Sequence, residues 1–436
     1  MRLDERDREI LRLALPAFGA LAAEPLYVLV DTAIVGHLGT RPLGGLGVAG
    51  TVLTAVFGIF NFLAYGTTAI VARRLGAGDR RAAAEHGVAG MWLAVGLGLA
   101  LTALGLALAQ PIVSAMGASR EVAPYALTYM RISLIGAPFV LLALAGTGYL
   151  RGLQDTKTPL VIAIGANLFN LALELILVYG VHLGIAGSAW GTVVAQIGAA
   201  GAYLAITHHN VKRAEATARP DRNRLRAAAV IGAQLTVRTG ALLLAVIVTT
   251  AIASRIGDVQ LAAHQVAWQL WWFLALCLDA IAIAGQAIVG RSLGASDVPG
   301  TRAATRRMLQ WGIAIGAIFA VTLVITEPAV ALVFSRDHAV RHELTGLLIA
   351  VALMQPLAAV VFVLDGILIG AGDARYLAWA MVGATLCYLP CAFIVLATDA
   401  GIVALWGCIY VFMLARLYGM GRRYRGDSWL VTGAVT

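Results

Sequence analysis

Long apolar runs, broken by short polar segments, fill almost the whole chain. Twelve runs of helical length fall near 10–36, 44–71, 87–110, 122–147, 159–181, 184–207, 227–254, 260–289, 309–327, 342–367, 376–397 and 400–421. A helix needs about 20 apolar residues to cross the hydrocarbon core of a bilayer, and these runs match that length. The breaks between them carry Gly, Pro, Asp and Arg, the residues that end helices and start turns. The pattern predicts an all-α integral membrane protein of twelve transmembrane helices. Composition agrees: 60% of residues are apolar and 13% charged, against about 45–50% and about 25% in soluble proteins.

The net charge of +9 matters through its placement. The cations lie between apolar runs rather than in a patch, so no nucleic-acid partner is expected. With the N-terminus placed in the cytoplasm, inner segments hold 25 of the 32 Lys and Arg residues, notably Arg73, Arg74, Arg80 and Arg81, the stretch Lys212 to Arg226, and Arg422, Arg423 and Arg425. Outer loops hold Arg41, Arg120, Arg255, Arg336 and Arg341, while Arg131 and Arg238 fall inside apolar runs. Cytoplasmic loops favour cations, so both termini are expected inside and the protein in the cytoplasmic (inner) membrane. The first apolar run is too long for a signal peptide. Cys277, Cys387, Cys391 and Cys408 all sit in apolar runs and read as small buried residues. No metal-ligand spacing accompanies them, and no cofactor is expected.

The chain repeats itself. Residues 69–79 read AIVARRLGAGD and residues 287–297 read AIVGRSLGASD, matching at eight of eleven positions with an offset of 218. The same offset pairs Gly39 with Gly257, Pro138 with Pro356, Gly148 with Gly366, Gly152 with Gly370 and Asp155 with Asp373. Six spans per copy is an even number, so the halves share one orientation, related by a pseudo-two-fold axis along the membrane normal. Parallel repeats of this kind enclose central binding sites. The expected organisation is an N-terminal six-helix lobe over 1–207, a cytoplasmic linker over 208–226, a C-terminal lobe over 227–421 and a cytoplasmic tail over 422–436. The LGAGD and IGAGD segments follow membrane helices rather than strands, which argues against a nucleotide loop. Gly76 and Gly370 are expected to end helices there.

Ionisable side chains inside a membrane cost several kcal/mol, about 2.5–3.5 on insertion scales, and mark function by default. Seven lie in or near apolar runs: Glu24, Asp31, Arg131, Glu174, Arg238, Asp279 and Asp365. Asp31 in span 1 and Glu174 in span 5 fall at similar depth. Asn170 lies one turn from Glu174 on the same face, and Thr192 of span 6 can add a hydroxyl. Two carboxylates, an amide and a hydroxyl at one depth form a candidate proton or sodium site, since burial and like charge favour a shared cation. The alternative is that these groups cap helices or pair with Arg131. Pro16 and Pro25 share span 1 with Asp31, and each removes a backbone hydrogen bond and can bend the helix. In the second half Arg238 and Asp279 fall at similar depth on adjacent spans and suggest an ion pair. Asp365 lies nearer the cytoplasmic end of span 10, as a second cation site or a helix cap.

The segments ALPAFGALAAEPLYVLVDTAIVGHLG (14–39), AIVARRLGAGD (69–79), YLRGLQDTKTPL (149–160), NLFNLALELILVYG (167–180), LDAIAIAGQAIVGRSLGA (278–295) and LDGILIGAGDAR (364–375) resemble the multidrug and toxic compound extrusion (MATE) family, in its DinF-like branch. The resemblance implies two six-helix lobes forming a V, and proton- or sodium-driven antiport of cationic or amphipathic organic compounds. It places the family's main cation-site aspartate on Asp31, a bending proline on Pro16, further site groups on Asn170, Glu174 and Thr192, and second-lobe aspartates on Asp279 and Asp365. Many members carry Asp where this chain has Glu174.

The expected partners are a small organic substrate and the lipid bilayer, with the chain acting as a monomer. H+ is favoured over Na+ as the coupling ion. One alternative is a flippase for lipid-linked precursors, which would favour a cationic cavity where this chain has mostly buried acids. Another is a membrane-embedded enzyme, for which no nucleophile or metal motif is present.

Overall fold

A computed structural model describes residues 4–335 and 337–434; Arg336, assigned above to an outer loop, lies outside them. Among the described residues the chain forms fourteen α-helices and one π-helical turn. Eleven helical segments are long and apolar enough to cross a membrane, and a twelfth span is the pair α5 (Ala123–Ile135) and α6 (Ala137–Gly152), bent by 50°. Pro138 in the first turn of α6 has no N–H to continue the helix, which accounts for the break. The remaining spans follow the apolar runs: α1 (Glu5–Gly36), α2 (Thr40–Ile59) with α3 (Phe62–Gly76), α4 (Arg80–Ala115), α7 (Lys157–Leu175) with the π turn Ile176–Gly180, and α8 (Ile185–Arg213). The second half continues with α9 (Arg222–Ile256), α10 (Asp258–Gly294), α11 (Val298–Phe334), α12 (His338–Gly370), α13 (Ala374–Thr398) and α14 (Gly401–Arg425). Many of these helices run several turns beyond their apolar stretch, because the flanking charged residues continue the helix into polar surroundings.

The chain divides into two compact units: residues 15–232, and residues 233–434 together with residues 4–14. Both divisions differ from the expected ones. The boundary falls within α9 rather than in the 208–226 stretch, of which only 214–221 is non-helical. The first turns of α1 join the second unit for an electrostatic reason. Asp7, fully buried, accepts hydrogen bonds from Arg307 Nε at 2.6 Å, Arg307 Nη2 at 2.7 Å and Trp311 Nε1 at 2.8 Å, and Arg291 pairs with Glu9. The tail folds back onto the same unit. Trp429 is 1% exposed and stacks on Tyr424, and Gly433 N–H donates to Leu293 O at 3.0 Å.

The 218-residue repeat is written into the packing. A side chain at Gly148 would lie 2.9 Å from the Cα of Ala64, and one at Gly366 would lie 2.6 Å from the Cα of Ala282. The two glycines and the two alanines are each 218 apart. Likewise Gly98 abuts Pro138 while Gly316 abuts Pro356. Glycine here lets helix backbones touch, which is what packing in lipid requires. Asp79 and Asp297 each cap the following helix, accepting at 2.8 Å from the N–H groups of Ala82 and Gly300. The helices ending at Gly76 and Gly370 turn through left-handed Gly78 and Gly372.

Candidate functional site

In the first unit α1, α5, α7 and α8 converge on Asp31. Its carboxylate is 4% exposed. Ser188 Oγ of α8 donates to Oδ1 at 2.5 Å, and Tyr129 OH of α5 donates to Oδ2 at 3.3 Å. Glu174 on α7 is fully buried, and neither of its carboxylate oxygens completes a hydrogen bond. Asp31 is the charged group beside it, with Ser188 as a further polar neighbour. Asn170, one turn earlier, is 3% exposed, and its amide oxygen and nitrogen are both unpartnered. Gly191 admits this arrangement: a side chain there would lie 3.4 Å from Asn170 Oδ1 and 3.3 Å from the backbone of Glu174.

Thr192 is near the site but turned from the carboxylates. Its hydroxyl meets Tyr27 OH at 2.6 Å and donates to Ser188 O at 3.2 Å. It therefore fixes the α8 turn that carries Ser188. Pro16 and Pro25 both lie inside a helix that remains continuous from Glu5 to Gly36. Asn167 Nδ2 donates to Ala23 O at 3.0 Å, tying α7 to the turn of α1 next to Pro25. Arg131 is exposed and forms none of the contacts to Asp31. The arrangement thus has two adjacent enclosed carboxylates, an amide with free donors and acceptors and, among the described residues, no guanidinium hydrogen-bonded to them. Two buried carboxylates side by side cannot both remain charged without a cation between them. Chemically, the site can bind and release a proton or a small bare cation.

The second unit does not copy this site. At the repeat offset Asp31 falls on Thr249, Asn170 on Tyr388 and Glu174 on Ala392, and Thr249 Oγ1 meets Tyr388 OH at 2.5 Å. Its charges gather elsewhere. Arg238 on α9 is hydrogen-bonded to Asp365 on α12. Arg238 Nε donates to Oδ1 at 3.1 Å and Nη2 donates to Oδ2. Asp279 on α10 is half-buried and itself engaged in an interaction. Arg238 and Asp365 are 9% and 6% exposed. Arg416 of α14 completes the cluster. It is 3% exposed, with its guanidinium over the rings of Phe362 and Phe412 at 5.9 and 5.7 Å.

Sequence position groups Arg416 with the cytoplasmic cations, whereas the structure buries it. Its only signal is its place inside the last apolar run. Ser188 could have been found as the residue one turn before Thr192. Tyr27 and Tyr129 carry no distinguishing sequence signal.

A bundle of spans in two repeated halves, with a carboxylate pair enclosed in one of them, is the architecture of a multi-pass membrane transporter. The MatE family model matches residues 16–176 and 241–394, and the chain belongs to that family. Among relatives, it is 32% identical over 424 residues to Protein DETOXIFICATION 44, chloroplastic, of Arabidopsis thaliana, covering 94% of this chain and 80% of that one. It is 28% identical over 444 residues to DNA damage-inducible protein F of Escherichia coli (strain K12), covering 98% and 95%. A probable multidrug resistance protein NorM of Thermotoga maritima matches at 28% over 199 residues, 44% of this chain and 43% of that one. The fold is that of a MOP superfamily transporter from Pyrococcus furiosus, with TM-score 0.87, 22% identity and coverage of 98% and 97%. A MATE structure in the bent conformation gives TM-score 0.89 at 22% identity, covering 98% and 96%.

Proposed function

We propose that this chain is a cation-coupled antiporter of the inner membrane that exports organic cationic or amphipathic compounds by alternating access, with both termini in the cytoplasm. The observation that carries the reading is the Asp31–Glu174 pair, enclosed among helices and, among the described residues, hydrogen-bonded to no guanidinium or ammonium. The family membership and the multidrug relative support export of organic compounds. The cation-rich cytoplasmic segments support the orientation.

A proton is the preferred coupling ion. The oxygens of Asp31 are already engaged by Ser188 and Tyr129, and a proton shared with Glu174 needs no further ligands. With the proton bound, the pair is closer to neutral and the surrounding helices can close on it. With the proton gone, the pair carries charge that favours hydration. Asp31 sits on the helix that holds Pro16 and Pro25, so the charge change acts on an element already missing backbone hydrogen bonds. The reading is tested by ethidium efflux in everted vesicles, energised separately by a pH gradient and by a sodium gradient, for wild type and Asp31→Asn. Efflux that responds to the pH gradient and disappears in the variant supports it. Equal efflux by both proteins without any gradient refutes it.

A further inference from the structure

We infer that Glu24 is the carboxylate that docks the charged head of an organic cation, separate from the coupling pair; this rests on the antiporter reading above. The coupling pair cannot do this work itself. Asp31 is 4% exposed, Glu174 0% and Asn170 3%, so the site admits a proton or bare ion but no organic group. A carboxylate with accessible surface is needed within the spans.

The first unit offers one. Asp79, Asp155 and Asp221 cap helices through backbone N–H groups. Glu85 and Glu121 hold Arg224 and Arg41. Glu215 lies in the 214–221 segment outside the helices. Glu24 alone remains: it is exposed and lies within α1, seven residues before Asp31. Among the described residues it has no hydrogen bond, ion pair or other electrostatic partner. An unpaired carboxylate inside a span must face water or receive a cation, because lipid solvates it poorly.

Glu24 also stands in register with the coupling pair. It precedes Asp31 by seven residues, so both lie on one face of α1, about two turns or roughly 10 Å apart. Tyr27 lies between them, held by Thr192. Two positive charges at that separation, at the effective dielectric suited to protein interiors, oppose each other by roughly tenfold in an equilibrium constant. An organic cation at Glu24 therefore weakens the hold of the coupling pair on its own cation, and the reverse. That antagonism is the condition for exchange rather than co-transport.

The test is equilibrium binding to the purified full chain in lipid nanodiscs. The probes are tetraphenylphosphonium, a permanent cation, and N-phenylnaphthylamine, an uncharged amphiphile. Wild type, Glu24→Gln and Glu24→Asp are compared. Glu24→Gln is expected to weaken tetraphenylphosphonium binding about tenfold while leaving N-phenylnaphthylamine within twofold. Glu24→Asp keeps most of the cation affinity. The inference is overturned if Glu24→Gln binds the cation as wild type does, or loses both probes equally. If wild type binds N-phenylnaphthylamine but no organic cation, the inference falls while the export of uncharged amphiphiles stands.

Discussion

Asp31 is held by two hydroxyls and faced by a second carboxylate, and this local chemistry decides what each neighbour does. Ser188 makes the shorter of the two hydrogen bonds, 2.5 against 3.3 Å. A hydrogen bond to a charged group contributes about 1.5–3 kcal/mol. Ser188→Ala is therefore expected to lower gradient-driven efflux by roughly tenfold or more, with unchanged membrane insertion, as read by initial efflux rates normalised to protein level. An unchanged rate would mean that Ser188 does not position Asp31. On the reading proposed above, the Arg238–Asp365 pair of the second unit serves structure and can be separated from coupling. Removing one member of a buried pair costs about 3–5 kcal/mol, because the other charge is stranded, while an apolar replacement of both is near neutral. Arg238→Ala should therefore lower the thermal midpoint in detergent well below wild type. Arg238→Met with Asp365→Leu should recover most of the loss. A double variant no better than the single one would contradict this account.

At the scale of elements, the repeat explains which contacts tolerate no change. Gly148 and Gly366 both pack against backbone, at Ala64 and Ala282, where no side chain can move aside. Gly148→Val and Gly366→Val should each destabilise the protein by about 1–3 kcal/mol or more, and by similar amounts, since the two contacts are equivalent. Detergent melting curves measure this, and a tolerant Gly366→Val would show that the equivalence is only nominal. The helices themselves were legible because a membrane span announces itself by length and hydropathy, and the paired glycines by their common offset. The break between α5 and α6 was signalled by Pro138 but not by the apolar run, which continues through it. Azimuth was not legible. Depth and helical spacing group Asp31, Asn170 and Glu174, but the same counting did not single out Asp365 as a partner of Arg238. Arg416 escaped because its position near a basic helix end resembles a surface cation, although its guanidinium packs on Phe362 and Phe412.

For the whole molecule, the two units share a helical plan and differ in chemistry. One encloses a carboxylate pair. The other places Thr249 and Tyr388 at the corresponding positions and keeps its ions as an arginine–aspartate cluster. On the antiporter reading proposed above, this asymmetry places coupling in the first unit. The first turns of α1 belong with the second unit through Asp7, Arg307 and Trp311, while Asp31 on the same helix belongs to the first. The strongest repeat segments, 69–79 and 287–297, do not include the site positions, and the asymmetry shows only when the 218-residue offset is carried on to Thr249, Tyr388 and Ala392. The most direct check is reverse coupling in liposomes holding the purified chain, with interior pH followed by a trapped dye. An imposed gradient of tetraphenylphosphonium should drive protons in the opposite direction in wild type and leave the pH unmoved in Asp31→Asn. Movement of the organic cation without countermovement of protons, or proton flux that persists in the variant, would contradict a carboxylate-coupled exchanger.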